Sequence, residues 1–193
     1  AAARGRGVVR LEVHDEGVLL DAVVDGGGGG GGLLVGAEAE RVGLAATSAL
    51  AFRLYDNTVA WAADTAAPEG GRVIDRPWVQ LDLARCHAEL EALRLLNWRM
   101  TIDVERGRLT ADRSSTVKVY GTEAAVRIYE RLLGIVGPEG RVRGGQTGTV
   151  LRGELERAGR AAQINTFGGG VNEVMRELVA WIGLGMTRTT RQA

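Results

Sequence analysis

The spacing of apolar residues divides the chain into a short β-rich beginning and a long helical remainder. Between residues 7 and 24, β-branched residues flank the polar run at 14–17, which predicts two short strands around a turn. Seven consecutive glycines follow, Gly26 to Gly32, and predict a flexible linker. From Ala37 onward, apolar residues recur every three or four positions, which is the period of one face of a helix.

Five helices are predicted, over 37–66, 77–104, 111–134, 149–162 and 171–183. Pro77 suits a first helical turn, and Gly107 and Gly134 are placed to end the second and third helices. Residues 163–167 are expected to be extended, leading into Gly168, Gly169 and Gly170. Three long helices and a shorter C-terminal pair, joined by short connections, predict an antiparallel helical bundle.

Apolar residues on the predicted helices indicate which faces pack. The second helix has the clearest seam, with steps of four and three residues: Val79, Leu83, Cys86, Leu90 and Leu93. The third helix repeats the pattern at Val117, Ala124, Ile128 and Leu132. On the first helix the apolar positions are Val42, Ala45, Ala49, Phe52, Val59 and Ala63. Cys86 is therefore interpreted as a core residue and not as a nucleophile.

Composition narrows the function classes. The 193 residues are 45% hydrophobic, which is enough for a sizeable core. Balanced charge, with 24 basic and 24 acidic residues, argues against nucleic acid or an anionic membrane as the main partner. No apolar run reaches membrane-spanning length and no signal peptide is visible. A single cysteine suits a reducing compartment, so a cytoplasmic location is expected.

Local chemistry alone offers few functional residues. His14 and His87 have no ligand partners at useful spacing, so no metal site is predicted. Lys118 is the only lysine, which we interpret as the codon bias of a GC-rich genome. The glycines at 168–170 precede a helix, where backbone N–H groups favour an anion, but a plain loop between helices explains them equally.

Several motifs, in order, resemble one family. Residues 163–177, Gln-Ile-Asn-Thr-Phe-Gly-Gly-Gly-Val-Asn-Glu-Val-Met-Arg-Glu, with 183–188 after them, closely resemble the C-terminal signature of acyl-CoA dehydrogenases. So do 88–99 on the second helix, 114–121 on the third, and the turn at 134–140. The resemblance covers about 36–188, and the residue types look most like actinobacterial members, including those acting on steroid side chains.

The resemblance implies an architecture and domain limits. It implies that 37–188 form an up-down four-helix bundle, and that 1–25 are a β-hairpin, the tail of a middle β-domain. Residues 26–36 would be the linker and 189–193 a tail. A full family member also has an N-terminal helical domain and a complete β-domain before this region, which hold much of the flavin and the acyl chain.

The resemblance also implies FAD-dependent α,β-dehydrogenation of an acyl-CoA thioester, in which a carboxylate removes the α-proton. One family position for this carboxylate falls at Gly169, which cannot act as a base. The other position precedes an arginine on the first bundle helix, which makes Glu40 the candidate base and Arg41 its accompanying, substrate-binding arginine. From the residues alone, Glu40 reads equally as an acidic residue near a helix N-terminus, favoured by the dipole.

Flavin contacts are implied in part. The candidates carried over are Gly137, Gly168, Gly169, Gly170, Asn172 and Glu173. Val171 replaces a family threonine, and the loop at 66–75 lacks the family's Arg-x-x-Phe-Gly motif. The expected partners are an acyl-CoA, a larger dehydrogenase subunit or a second copy, and electron-transfer flavoprotein.

Two hypotheses remain open beside each other. The first is a catalytic subunit completed by a fuller partner, and the second is a non-catalytic scaffold subunit of the same kind of complex. Gly169 and the missing loop motif favour the scaffold, whereas the pair Glu40-Arg41 opposes it. An unrelated helical bundle is disfavoured by the ordered run of motifs.

Overall fold

The computed structural model describes residues 12–14, 17–19 and 32–187, with side chains from Ser48 onward. Strands β1 (Glu12–His14) and β2 (Gly17–Leu19) pair antiparallel. Most of the glycine linker and the 189–193 tail lie outside the described residues. That the strand pair is the end of a larger β-domain stays a prediction.

The described part of the chain is mainly helical. Its helices are α1 (Gly32–Asp64), α2 (Pro77–Glu105), α3 (Ala111–Val136), α4 (Glu154–Asn165) and α5 (Asn172–Leu178), with a π-helical turn over Val179–Gly183. Short 3₁₀ turns cover Val73–Asp75, Pro138–Arg141 and Leu151–Gly153. None of the helices in the described ranges is long and apolar enough to cross a bilayer.

Several predicted helix ends differ from the structure. Helix α4 begins at Glu154 and not at residue 149, because a 3₁₀ turn covers Leu151–Gly153. Helix α1 begins at Gly32, before the predicted start at Ala37, and includes Gly36, since a single glycine lowers helix stability by only about 1 kcal/mol. Helix α3 continues past Gly134 to Val136, and Gly137, at φ 81°, is its cap. A glycine inside a helix costs only about 1 kcal/mol, which burial of the residues around Gly134 readily offsets.

Helix α3 is the centre of the fold, since it packs against α1, α2, α4 and α5. The seams predicted for α2 and α3 are confirmed, because every residue named for them is buried. Cys86 is fully buried among them, and burial raises the pKa of its thiol to about 11. A thiol with so high a pKa is a poor nucleophile at neutral pH.

The packing face of α1 was predicted only in part, since Phe52 and Val59 pack half-buried against the core. The predicted Ala49 and Ala63 are exposed. The buried residues of its described part are Ala51, Leu54, Thr58 and Ala62. Thr58 tolerates burial because its hydroxyl donates to the Leu54 carbonyl at 2.7 Å. Because alanines occur on several faces of α1, the hydrophobic pattern does not identify which face is buried.

Candidate functional site

The glycine turn joins α4 to α5. Helix α4 runs through Asn165, and Thr166 and Phe167 continue as a hydrogen-bonded turn, so the extended segment predicted for 163–167 is wrong. Thr166 follows α4, and its hydroxyl donates to the Gln163 carbonyl at 2.8 Å. The chain then reverses through Gly169 at φ 67° and Gly170 at φ 111°, which are conformations that residues with a Cβ rarely adopt.

The side chain of Met175 lies directly against Gly170. A Cβ placed there would lie 2.2 Å from the Cε atom of Met175, one turn into α5. The Met175 sulfur in turn accepts from the Ser115 hydroxyl of α3 at 3.4 Å. The turn therefore packs directly against the side chains that dock α5 on α3.

Lys118 of α3 is buried beneath the turn, with only 4% of its surface exposed. Its ammonium group donates to the Thr166 carbonyl at 3.1 Å, to the Gly170 carbonyl, and to Asn172 Oδ1 at 2.7 Å. A buried ammonium group is costly unless its donors are satisfied. Here the two carbonyls bracket the glycines, so the lysine fixes both ends of the turn.

Asn172 connects the turn to α3 a second time. It is 3% exposed, and its amide nitrogen donates to Thr122 Oγ1 and to Glu123 Oε1, each at 3.1 Å. Glu123 also pairs with Arg176 of α5 at 2.7 Å. The Asn172 side chain is thus occupied by protein groups, so its clear role is to position the turn, and a direct flavin contact stays a prediction.

The outer side of the turn is apolar and exposed. We define the turn face as Ile164, Phe167, Val171 and Val174, of which Phe167 is 66% exposed. Gly168 and Gly169 are exposed between these side chains, and Glu173 is exposed in the first turn of α5. Four large apolar side chains around the exposed glycine backbone form a surface suited to a flat apolar group or to another subunit.

The predicted site residues fall into three places. Gly168, Gly169, Gly170, Asn172 and Glu173 lie together at the turn. Gly137 caps the far end of α3, 19 residues beyond Lys118, which corresponds to about 28 Å along a helix. The structure therefore does not bring Gly137 to the turn within one chain.

Glu40 and Arg41 make up the third place. Both lie in the first part of α1, and their side chains are outside the described part of the structure. Their helical placement agrees with the family position from which they were predicted. Their roles as base and substrate-binding arginine stay predictions.

Sequence reasoning missed the residues that hold the turn, which are Lys118, Thr122 and Glu123. The signal was present, because Lys118 is the only lysine among 24 basic residues. An ammonium group is a compact charge with three donors, and three oxygens meet it here. A planar guanidinium group would not match that arrangement, so codon bias alone does not account for this residue.

The turn fits part of a flavin site. A Cβ at Gly168 would meet only the Ile164 carbonyl oxygen, at 3.9 Å, so the backbone there is open on its outer side. Together with the turn face, this open backbone offers one wall for a planar ring system. The wall carries Gly169 and Val171 where the family resemblance implies a carboxylate and a hydroxyl.

Comparison with known proteins agrees with the resemblance. Residues 31–183 match the model of the acyl-CoA dehydrogenase C-terminal domain. The acyl-CoA dehydrogenase FadE26 of Mycobacterium tuberculosis is 40% identical over 156 residues, covering 79% of this chain and 38% of that protein.

Solved structures give the same result. A chain of the Tcur3481-Tcur3483 steroid acyl-CoA dehydrogenase (ACAD) is 49% identical, with a TM-score of 0.72, over 78% of this chain and 38% of that one. A chain of the ChsE4-ChsE5 complex from Mycobacterium tuberculosis is 39% identical, with a TM-score of 0.70, over 74% and 37%. The sequence thus spans well under half the length of these relatives. The chain belongs to the acyl-CoA dehydrogenase family, and residues 31–183 are that family's C-terminal domain.

Proposed function

We propose that this chain contributes to FAD-dependent α,β-dehydrogenation of a bulky acyl-CoA, such as one with a steroid side chain, together with a fuller partner subunit. The observation that carries the proposal is the glycine turn, which Lys118 and Asn172 hold from beneath while its outer side stays open and apolar. Helices α1 to α4 would be the four helices of the family's up-down bundle.

The turn would form one wall of a flavin site. Gly168 and Gly169 would allow the isoalloxazine ring close to the backbone, and Glu173 would lie at its polar edge. When bound, the flavin would supply the redox chemistry, and this chain would contribute shape and exclusion of water. Gly137, at the far end of α3, would serve a second flavin in the assembled complex.

The partner subunit is inferred from uncovered apolar surface and from the relatives. Besides the turn face, α2 exposes Leu95, Trp98 and Ile102 on one side, at helical spacing. Large apolar patches on a folded domain mark interaction surfaces. Two of the similar solved structures are described as two-component assemblies, Tcur3481-Tcur3483 and ChsE4-ChsE5. A larger dehydrogenase subunit is the partner that would also supply the remaining flavin contacts.

The base is proposed to be Glu40, because Gly169 occupies the alternative family position. A carboxylate that abstracts an α-proton works best in a dry pocket that raises its pKa toward neutrality. Arg41 would bind or orient the substrate beside it. Reoxidation of the flavin would require an electron acceptor such as electron-transfer flavoprotein.

A second candidate function is a non-catalytic scaffold subunit. It is favoured by one observation, the glycine at the turn position where a carboxylate is implied. In that case the buried Lys118 network would serve only to shape a docking surface, and Glu40 would be an ordinary helical acid.

The test compares two acids of the same helix. The chain is produced with candidate fuller subunits, and bleaching of the bound flavin by a steroid acyl-CoA is followed by absorbance. Glu40→Gln is expected to lower the bleaching rate by about a thousandfold, within the range for removing a catalytic base. Glu38→Gln, two residues earlier on α1 and therefore on a different face of the helix, is the matched control and should bleach normally.

Each result decides between the candidates. Normal bleaching by the Glu40→Gln complex would show that Glu40 is not the base. Absence of flavin from every complex, with assembly intact, would favour the scaffold function.

A further inference from the structure

A cleft rich in arginine lies where the loop after α3 meets the start of α4. It has a volume of about 440 Å³, and we call it the arginine cleft. It is lined by Arg143, Gly144, Arg152, Gly153, Glu154, Glu156, Arg157 and Arg160. None of these residues belongs to the glycine turn or to the turn face.

The two carboxylates of the cleft already have partners. Glu154 pairs with Arg53 at 3.1 Å, and Glu156 pairs with Arg160 at 2.9 Å. The Arg160 hydrogen bond, helped by the charge of Arg143, holds the pKa of Glu156 below its usual value. Each of the two carboxylates is therefore already paired with an arginine.

Three arginines of the cleft are not held in a direct ion pair, although the charge of Arg143 acts on Glu156. Arg143, Arg152 and Arg157 form no ion pair with any residue in the described ranges. Like charges held near each other repel, so such a group is stable only through solvent, salt or an anionic ligand.

The backbone holds two of these arginines in place. Gly144 and Gly153 touch, since a Cβ on Gly153 would lie 2.3 Å from the Gly144 nitrogen. Arg143 and Arg152 are their immediate neighbours in sequence, so the contact sets the spacing of these two arginines across the cleft. Leu151 and Arg152 adopt φ values of 49° and 54°, which cost free energy in residues other than glycine.

We propose that the arginine cleft binds a compact phosphorylated anion with two or more charges, such as a pyrophosphate group. Guanidinium groups bind phosphate oxygens through paired N–H donors, and three of them match the charge of a diphosphate. The volume of the cleft admits such a group. The proposal does not depend on the proposed dehydrogenase activity.

The test measures binding of inorganic pyrophosphate to the chain by titration calorimetry. Arg143→Gln and Arg157→Gln are each expected to weaken binding about tenfold, as for loss of a charged hydrogen bond. Arg108→Gln is the matched control and should leave binding unchanged, because Arg108 is exposed before the start of α3 and the cleft begins after the other end of that helix. Circular dichroism checks that each variant keeps its helices.

Further titrations distinguish a free pyrophosphate ligand from a nucleotide. ADP and adenosine 3′,5′-bisphosphate are titrated in parallel, and tighter binding of either than of pyrophosphate identifies a nucleotide ligand. The proposal is overturned if pyrophosphate does not bind, or if the cleft variants and Arg108→Gln lose binding equally. Binding of an acidic peptide in place of all three phosphates would also overturn it, in favour of a protein partner.

Discussion

At the scale of single residues, Lys118 accounts for the shape of the site. Three oxygens, from Thr166, Gly170 and Asn172, converge on its buried ammonium group. The motif at 163–177 located the turn correctly, because its residue types and order are specific. The motif could not reveal that Lys118 holds the turn, since Lys118 is about 50 residues away in sequence and reaches the turn only in the folded chain.

Replacing this lysine should weaken the whole domain. Lys118→Met would remove three hydrogen bonds that hold the turn, at a cost of about 3 kcal/mol in the free energy of unfolding. Lys118→Arg should also destabilise, because the larger planar group does not fit the same pocket. Urea unfolding measures both, with Arg108→Met as the control for loss of an exposed charge. Unfolding of Lys118→Met at the wild-type midpoint would show that the network contributes nothing.

At the scale of elements, periodicity identified the helices better than it placed their ends. The seams of α2 and α3 were predictable because large apolar residues recur there with a single helical period. The end of α3 was not, since Gly134 and Gly137 are both plausible stops and only packing separates them. The packing face of α1 was predicted only in part for a related reason, because alanine is tolerated at both buried and exposed positions.

The two glycines of α3 provide a matched test of that assignment. Gly134 is helical and a Cβ there would meet nothing within 4 Å, so Gly134→Ala should stabilise by up to about 1 kcal/mol. Gly137 has φ 81° and ψ −154°, a region nearly exclusive to glycine, so Gly137→Ala should destabilise by about 2 kcal/mol. Thermal unfolding of both variants checks the signs. The opposite order would place the helix end at Gly134.

At the scale of the whole molecule, the described residues form a helical domain with a site open on one side. The turn face and the exposed side of α2 are surfaces that another chain or domain would cover. The family could be predicted from sequence, because several motifs occur in order, and the matched region from 31 to 183 confirms it. A complete site could not be derived from this chain, since it spans only 38% of FadE26.

The central claim is that this chain supplies one wall of a flavin site which a fuller subunit completes. The most direct measurement is the amount of FAD bound per chain, determined by absorbance after gel filtration, for this chain alone and for its complex with the fuller subunit. We predict negligible FAD on the chain alone and stoichiometric FAD on the complex. One FAD bound per chain in the absence of any partner would contradict the account.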